Sequence, residues 1–577
     1  MLADLKKLFK ILPGYLRLKF YLLFIFTFFG AILEVFSIGA IFPVLSAIIN
    51  KKTSFVFLNY KIEVPYMDVV VQSNSFILPM IILLAIFFLK NFFLVFLNYY
   101  SADFLFKVNV YFSNFLYKSY LQKDYSFHLK RNPSVLINSV INETGMLTNK
   151  FMHGISIVVL ELIFLVGIVA FFIIIEPVST IYLVSILTLI AFLYFILLNK
   201  KLLNWGKNRM TESALKLKNV SQGLNGIKEV KIYSRENIFL EKFYTHAFNE
   251  ASLNKKMNIL FQLPRIGLEL LFIIFFSFFM VFQITDISDI ATYFPQLVLF
   301  GAAAFRIMPS INKISTKFQL IKYSYPVVNK ILLLLKDDEI KVSFSENKNN
   351  TEITFNENFR INKLFFKYEA KNRKIFENTD MLINKGECVG FVGESGVGKS
   401  TLVDLICGLL KPSSGEILSD GKNLHENIKS WQKLIGYVPQ SVYLTDDTIK
   451  ENIIFGAKKN KFNEEKLSEA IKSAQLSELI RSLENGLETE VGERGIRLSG
   501  GQIQRIGIAR ALYHNPKILI FDESTSFLDE ENEKNILTDI VKLKKEKTLI
   551  LISHKLSTLK ICDKIFEFKN NKVLLRE

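Results

Sequence analysis

Cysteine is scarce in this 577-residue chain, which contains three: Cys388, Cys407 and Cys562. They show no C-x-x-C spacing and have no histidine neighbours, so we interpret them as ordinary thiols in a reducing compartment. This pattern offers no cysteine-based metal site. The chain also lacks internal repeats and extended low-complexity tracts, which argues against a repeat architecture.

Acidic residues are too few to balance the basic ones, because 54 Asp and Glu stand against 71 Lys and Arg, a formal net charge of +17. Such an excess can indicate a nucleic-acid partner. In a chain that is 50% hydrophobic, however, lysine and arginine are expected in cytoplasmic loops facing anionic lipid headgroups. We therefore predict a membrane protein with no nucleic-acid partner.

Long apolar runs, rich in the 54 phenylalanines, crowd the chain before about residue 312. A membrane span needs roughly 20 apolar residues. Six stretches qualify: 20–49, 76–98, 151–175, 178–198, 258–284 and 290–311. The long connections 99–150 and 199–257 are rich in Lys and Arg, so the positive-inside rule predicts that they, the N-terminus and the C-terminal domain are cytoplasmic.

The two long cytoplasmic connections carry helical periodicity broken by turn residues. We interpret them as spans that extend into the cytoplasm, each pair capped by a short helix that can press on the C-terminal domain. An unrelated cytoplasmic insertion is the alternative.

The N-terminal apolar stretch is too long for a cleavable signal, whose core has about 7 to 15 residues, so it is predicted to be a retained first span. Ahead of it, Leu5, Leu8, Phe9 and Leu12 recur at helical spacing among lysines, which predicts an interfacial helix. Polar residues 343–350 are the best linker candidate or a surface loop of the second domain. The predicted domains are a transmembrane domain over 1–335, a linker over 336–356 and a nucleotide-binding domain over 357–577.

A glycine-rich phosphate-binding loop lies in the soluble half, after the predicted strand 387–392 and before an apolar helix. Its glycines allow a tight turn, so that backbone N–H groups and the helix N-terminus surround phosphate oxygens. A lysine then neutralises the β- and γ-phosphates, and a serine can ligate Mg²⁺. The predicted nucleotide-binding residues here are Gly393, Glu394, Ser395, Gly396, Val397, Gly398, Lys399, Ser400 and Thr401.

Two adjacent carboxylates, Asp522 and Glu523, end a second apolar strand. We predict that Asp522 holds Mg²⁺ and that Glu523 orients or deprotonates the attacking water. A surface acidic pair without function is the alternative.

With these motifs, residues 357–577 resemble the nucleotide-binding domain of an ABC transporter. The resemblance implies ATP and Mg²⁺ as cofactors and, with the spans, an all-α six-helix transmembrane domain followed by an α/β P-loop ATPase domain with an ABC-specific helical subdomain. Tyr368 resembles the aromatic that stacks on adenine, Gln440 the Q-loop residue that senses Mg²⁺ as one of its ligands, and His554 the switch histidine on the γ-phosphate. Residues 526–529 resemble the D-loop, with Phe527 where a small residue is more usual.

The signature motif of this family begins at Leu498 and contains Ser499, Gly500, Gly501 and Gln502. In the family it binds the γ-phosphate held by the opposite subunit. One P-loop and one signature in a chain therefore imply two chains, as a homodimer or with a partner encoded elsewhere. Residues 489–495 resemble the segment with which exporters contact their spans, which favours an exporter or flippase over an importer.

Charged residues inside spans are functional candidates, because burying them in lipid is costly. We hypothesise that four cations contact the transported substrate: Lys90, Arg265, Arg306 and Lys313. Arg265 can instead pair with Glu269 on one helix, Lys90 can extend toward the interface, and Lys313 can simply lie there. An excess of cations facing a cavity suits an anionic cargo.

The transmembrane half resembles flippases that move lipid-linked oligosaccharides for bacterial protein glycosylation or O-antigen assembly. The resemblance rests on residues 264–269, residues 305–312 and the basic residues at 90 and 313. It implies a lipid-linked pyrophosphate glycan as cargo at the bacterial inner membrane. The alternatives are an exporter of hydrophobic drugs or free lipids, and an ATP-gated channel or tethered regulator. A peptide exporter with a processing peptidase is disfavoured, since no extra N-terminal domain and no cysteine before 388 are present.

Overall fold

A computed structural model describes the chain over the following residues: 2–40, 54–57, 60–63, 77–175, 177–283, 287–336, 352–368, 373–456, 462–524, 538, 544 and 546–576. It divides into two compact units, Met1–Lys123 with His128–Val342, and Asp124–Phe127 with Ser343–Glu577. We call them the helical unit and the α/β unit. Most of the predicted linker 336–356 lies outside the described residues.

The N-terminal part of the chain is helical apart from one small hairpin of antiparallel strands, β1 (Ser54–Phe57) and β2 (Tyr60–Glu63). Two π-helical segments, π1 (Ser139–Glu143) and π2 (Met146–Met152), precede its third long helix. The helices are α1 (Leu2–Ile11), α2 (Gly14–Gly39), α3 (Ile77–Gln122), α4 (Tyr125–Leu129), α5 (Pro133–Asn138), α6 (His153–Ile175), α7 (Pro177–Asn225), α8 (Ile227–Ile232), α9 (Glu236–Gln283) and α10 (Ile287–Lys336).

The six long helices α2, α3, α6, α7, α9 and α10 carry the predicted apolar stretches as far as the structure describes them; residues 41–49 of the first stretch, residue 76 of the second and residue 284 of the fifth lie outside the described residues. Within the described residues, three segments are long and apolar enough to cross a membrane: Gly14–Ser37, Met80–Gln122 and Met146–Ala170. Helix α7 has 49 residues, roughly 75 Å of helix, whereas the hydrocarbon layer is ~30 Å thick. Helices of this length extend well past the bilayer, as predicted for the spans that flank the long connections, and the short α4, α5 and α8 lie between the extensions.

Helix α1 is amphipathic, as its spacing predicts. Leu8 is fully buried in a core that includes Phe104 and Val108 of α3, whereas Lys6 and Lys7 are exposed. The burial of this apolar face fixes α1 against the spans, with its lysines outside.

Pro264 lies inside α9, where it cannot donate the backbone hydrogen bond that the carbonyl of Leu260 would otherwise accept. Two side chains from other helices replace that donor. The hydroxyl of Tyr194 on α7 donates to the Leu260 carbonyl at 3.4 Å, and Nε2 of Gln319 on α10 does so at 3.4 Å. Gln319 is fully buried and also donates to the Tyr194 hydroxyl at 2.8 Å. Hydrogen bonds at the carbonyl that Pro264 leaves without its helical donor therefore join α7, α9 and α10.

The α/β unit contains two sheets. A six-stranded sheet has the order β12-β11-β5-β10-β9-β8 and is parallel except for β12, and a four-stranded antiparallel sheet has the order β4-β3-β6-β7. The strands are β3 (Asn358–Tyr368), β4 (Arg373–Asn384), β5 (Cys388–Gly393), β6 (Ser414–Ser419), β7 (Lys422–Asn423), β8 (Ile435–Val438), β9 (Ile518–Asp522), β10 (Thr548–Ile552), β11 (Lys564–Lys569) and β12 (Lys572–Arg576). The helices are α11 (Lys399–Ile406), α12 (Ile428–Gln432), α13 (Ile449–Ile454), α14 (Glu464–Ser473), α15 (Ser477–Ser482), α16 (Gly500–Tyr513) and α17 (Leu556–Leu559).

The six-stranded sheet separates two hydrophobic cores, because successive side chains of a strand point to opposite faces. On β9, Ile518 and Ile520 join the first core and Leu519 and Phe521 the second. Helix α11 packs into the first core and α16 into the second. The two helices therefore lie on opposite faces of the sheet. The helices α13 to α16, between β8 and β9, form the predicted helical subdomain.

Candidate nucleotide site

The glycine-rich loop connects β5 to α11, as its motif predicts. Gly398 has φ 117, and a Cβ there would lie 2.6 Å from Cγ2 of Ile375, so only glycine fits. Glu394, Ser395 and Gly396 are exposed, whereas Val397 is half-buried against the first core. The loop therefore presents backbone to solvent at the N-terminus of α11, where an anion is favoured.

Lys399, the first residue of α11, is 5% exposed. Its Nζ donates to the carbonyl oxygens of Gly393 at 2.7 Å and Glu394 at 3.1 Å. Burial lowers the pKa of Lys399, and the carboxylates of Glu523 and Asp522 act in the opposite direction. The ammonium group is thus held within the loop, next to the two carboxylates that the sequence singled out.

Asp522 ends β9 and is 6% exposed. Its carboxylate accepts hydrogen bonds from the Tyr437 hydroxyl, at 3.3 Å, and from Ser400. Burial raises the pKa of Asp522, and the hydrogen bond from Tyr437 opposes this shift. The structure therefore brings Ser400 and Asp522 together beside Lys399.

Glu523 follows directly and is contacted from two sides. Its Oε2 accepts from Nε2 of Gln440 at 2.7 Å, and its Oε1 lies 2.7 Å from Nε2 of His554. Its backbone has φ 50, the left-handed region that non-glycine residues rarely adopt. Such strain persists only where the surroundings enforce it. The predicted D-loop, 526–529, lies outside the described residues.

Two further side chains belong to this cluster, and the sequence motifs gave no role to either. Tyr437 donates to Asp522, and burial raises its pKa. Asp404 lies on α11 five residues after Lys399, and burial, with a smaller effect of Asp522, raises its pKa to about 6. The sequence does show that Asp404 follows the P-loop lysine by little more than one helical turn. Its proximity to Asp522 could not be predicted, because it depends on the packing of α11 against β9.

Tyr368 ends β3 and is half-buried. Its hydroxyl lies 3.1 Å from Oγ1 of Thr401 on α11. A polar contact therefore holds the aromatic side chain predicted to stack on adenine next to α11, the helix that follows the P-loop.

The signature residues form the N-terminus of α16. Ser499 accepts from the backbone N–H of Gln502 at 3.3 Å, and Oε1 of Gln502 accepts from the N–H of Ser499 at 2.8 Å, which is a complete capping box. Ser499 and Gly500 are exposed, and Gly501 and Gln502 are half-buried. Because α16 lies on the sheet face opposite α11, the structure does not bring this signature to the P-loop of the same chain.

A magnesium ion fits the chemistry of the cluster, since the Ser400 hydroxyl and the Asp522 carboxylate are adjacent oxygen donors, the type that Mg²⁺ prefers. The Gln440 amide, predicted as a third ligand, is bound to Glu523 instead. Among the described residues, no group of three or more His, Cys, Asp or Glu is arranged to hold a metal. A Mg²⁺ ion here would therefore take further ligands from nucleotide phosphates and water.

The four cations proposed for cargo lie on different helices of the helical unit. Lys90 on α3 places Nζ 4.4 Å from the centre of the Phe87 ring, and Arg265 on α9 is exposed. Within the described part of the chain no ion pair joins Arg265 to Glu269, so that alternative is not observed. Arg306 belongs to α10, but its side chain lies outside the described part. Lys313 Nζ lies 2.7 Å from Oε1 of Glu161.

Comparison with known proteins identifies both units. The family model described as ABC transporter matches residues 376–526, and that described as ABC transporter transmembrane region matches residues 19–304. The structure is similar to that of a bacterial Atm1-family ABC exporter with ATP bound, with a TM-score of 0.78 and 21% identity over 97% of this chain and 96% of the other. At this identity the likeness shows the fold alone.

Two curated relatives match a shorter part of the chain. One is an ATP-dependent lipid A-core flippase of Pasteurella multocida (strain Pm70), 41% identical over 209 residues, 36% of each chain. The other is a candidate multidrug export ATP-binding/permease protein of Staphylococcus aureus (strain NCTC 8325 / PS 47), 42% identical over 215 residues, 37% of each. The matched segments thus span little more than a third of these relatives. The two family matches and the common fold nevertheless confirm the predicted architecture, and the chain belongs to the ABC transporter family, with a transmembrane region and an ATPase domain fused in that order.

Proposed function

We propose that this protein is an ATP-driven exporter that flips a lipid-linked pyrophosphate oligosaccharide across the bacterial inner membrane, with its ATPase domain in the cytoplasm. One observation carries the ATPase part of this proposal: Lys399, Asp522 and Glu523 meet at the end of the glycine-rich loop, with Gln440 and His554 both on Glu523. The site holds the groups that a phosphoryl transfer to water needs, a buried cation and two carboxylates in different surroundings.

In the proposed hydrolysis, the loop N–H groups and Lys399 bind the β- and γ-phosphates, in place of the loop carbonyls that now accept from Lys399. Ser400 and Asp522 would hold a Mg²⁺ ion, which would supply charge neutralisation on the phosphate oxygens. Glu523 takes the proton of a water whose oxygen forms a bond to the γ-phosphorus, while the bond to the bridging oxygen of ADP breaks. Gln440 and His554 orient Glu523, and their contacts with it change when nucleotide binds. Tyr368 stacks on adenine.

The working assembly is proposed to be a homodimer. The signature at the start of α16 and the P-loop at the start of α11 lie on opposite faces of one sheet, so a signature can reach a γ-phosphate only on another chain. Ser499, Gly500 and Gly501 then complete the partner's site, where a helix N-terminus favours the phosphate charge. Closure of the two ATPase domains would draw the cytoplasmic extensions of the spans together and reshape the cavity.

The cargo assignment rests on cations of the spans. Lys90, Arg265, Arg306 and Lys313 are costly in lipid and suit a pyrophosphate headgroup. One relative is, by its printed name, an ATP-dependent lipid A-core flippase, which supports a lipid-linked cargo. The second candidate, an exporter of hydrophobic drugs or free lipids, is supported by the multidrug relative.

Stimulation of ATP hydrolysis in proteoliposomes separates the two. We expect a several-fold rise with a polyprenyl-pyrophosphate glycan and little with free lipids or hydrophobic dyes. The Glu523→Gln variant is the control, since it should bind ATP and hold the closed dimer without turnover under every condition. Stimulation by dyes alone would favour the second candidate, and normal turnover in Glu523→Gln would remove Glu523 as the base.

The cations are tested in cells by complementation of glycan translocation. Arg265→Ala with Arg306→Ala is expected to abolish translocation while leaving basal ATP hydrolysis intact. Wild-type translocation in this double variant would make the substrate assignment wrong.

A further inference from the structure

Three lysines and one glutamate lie along the line where π2 and α6 pack against α10. Lys313 Nζ lies 2.7 Å from Oε1 of Glu161, and Lys317 lies within electrostatic range of both Lys150 and Lys313. Lys150 and Lys313 are exposed, and Lys317 is half-buried. By the predicted orientation of the spans, this point is at their cytoplasmic ends.

Helix geometry and packing explain why these side chains converge. Lys313 and Lys317 are four residues apart on α10, so they share one face. That face meets the start of α6, where a Cβ on Gly154 would lie 2.9 Å from Cγ1 of Ile321 and 3.4 Å from the Lys317 carbonyl oxygen. The two helices therefore touch, and the lysines of α10 and the lysine of π2, which directly precedes α6, lie along this contact.

The ion pair at this contact is asymmetric. The Glu161 side chain is 1% exposed, whereas that of Lys313 is 50% exposed. Oε2 of Glu161 has no hydrogen-bond partner in the described part of the chain. A buried carboxylate without a nearby cation is strongly destabilising, so Glu161 depends on Lys313. Lys313, in contrast, can reach water or a ligand.

The cluster carries more positive than negative charge. Among the described residues no acidic side chain lies within ion-pair distance of Lys150 or Lys317, and Glu161 neutralises one lysine only. We propose that Lys150, Lys313 and Lys317 form a binding site for a phosphate-type headgroup, and that Glu161 is the internal counter-ion that an arriving anion replaces at Lys313. This assignment rests on the proposed function for its link to cargo, and it adds Lys150, Lys317 and Glu161 to the residues that handle it.

Lipid binding to the detergent-purified full-length protein, resolved by native mass spectrometry with the P-loop saturated by ADP, tests the site. The probes are a polyprenyl pyrophosphate, phosphatidylglycerol and phosphatidylcholine. Lys317→Gln should weaken pyrophosphate-lipid binding about tenfold, the size expected for one charged hydrogen bond, and Glu161→Gln should strengthen it to a similar extent by removing the competing carboxylate. The matched control is Lys322→Gln, because that lysine lies on α10 over the Phe318 ring, outside the cluster, and should leave binding unchanged.

Unchanged or weaker binding in Glu161→Gln, or equal losses in the Lys317 and Lys322 variants, would overturn the proposal. Equal effects on phosphatidylglycerol and on the pyrophosphate lipid would overturn the link to cargo and leave a site for bilayer lipid. Transport in proteoliposomes tests the proposed function separately, since a failure to flip glycan does not alter these binding differences.

The counter-ion role has its own readout in stability. Lys313→Gln alone leaves Glu161 buried without a cation and should lower the unfolding midpoint. Adding Glu161→Gln should restore most of that loss. An additive loss in the double variant would contradict the counter-ion role.

Discussion

At the scale of single residues, the two carboxyl groups near the P-loop lysine differ because their surroundings differ. Asp522 is buried and accepts from Tyr437, which suits a metal ligand held in one position. Glu523 is 19% exposed at its side chain, strained at φ 50, and bound by an amide and an imidazole. A carboxylate held by two side chains from different parts of the chain becomes available to water when either contact is broken.

Asp404 predicts a measurable dependence of stability on pH. Its pKa in the folded protein is about 6, above its ordinary value of 3.8, so folding favours the protonated form. The contribution of Asp404 to stability is complete below about pH 4 and is lost as the pH rises through 6. Asp404→Asn should therefore match wild type near pH 4 and be more stable above pH 7. The full pKa shift corresponds to about 3 kcal/mol, and solvent screening of this partly exposed carboxyl reduces the expected gain to roughly 1–2 kcal/mol, a few degrees in midpoint.

Thermal unfolding of the two proteins across this pH range is the measurement. Asp380→Asn is a suitable control, since Asp380 is exposed and accepts a hydrogen bond from the backbone N–H of Lys363 at 2.8 Å. A stability gain in Asp404→Asn that is constant with pH would show that ionisation is not its cause.

The residues whose positions could be predicted from sequence are those that stand close to a recognisable strand or helix start. Asp522 ends β9, and Gly398 and Lys399 lie where the loop after β5 enters α11. The pairing of Lys313 with Glu161 could not be predicted in this way, because the two are 152 residues apart and meet only when α6 packs on α10. Tyr437 lies three residues before Gln440, but its hydrogen bond to Asp522 could not be predicted, because it requires β8 and β9 to be neighbours.

At the scale of elements, the proline of α9 is held by two other helices. Gln319→Leu removes one donor to the Leu260 carbonyl and should lower stability by roughly 1–2 kcal/mol. In a Pro264→Ala background the restored backbone N–H serves that carbonyl, so the same substitution should cost less. Thermal unfolding of the four proteins gives this coupling as a double-mutant cycle.

Thr316→Val is the control for that cycle. Its hydroxyl donates to Asn312 on its own helix, so its effect should be the same with Pro264 or Ala. If Gln319→Leu is also insensitive to Pro264, the bond to Leu260 contributes nothing measurable. The helix pattern predicted α9 and its proline, but not which neighbours would satisfy the freed carbonyl, since that requires the packing of α7 and α10.

At the scale of the whole molecule, the proposed dimer can be tested by mixing two inactive chains. Lys399→Ala removes the phosphate-binding lysine, and Gly500→Asp puts a negative charge at the signature. Gly500 has no positive φ, and an acidic residue at a helix start is favourable, so the fold should be kept. Each variant alone should lack hydrolysis, whereas mixed dimers contain one intact site.

With random assembly, half of the dimers are mixed and carry half of their sites intact, so about a quarter of wild-type hydrolysis is expected from the mixture. The assay is phosphate release after co-expression and purification of the pair. Hydrolysis no higher than in either variant alone would contradict sites shared between chains.

The six-stranded sheet of the α/β unit carries a packed core on each face, and this determines how hydrolysis depends on the concentration of the chain. The packed cores on both faces have little space to compress, so α11 and α16 are held at a fixed separation by the sheet between them. They cannot approach each other within one chain. A single chain therefore cannot bring its own signature residues to the nucleotide at its own P-loop. Under conditions that dissociate the assembly, hydrolysis should fall with the square of the chain concentration, whereas ATP binding should fall only in proportion to it.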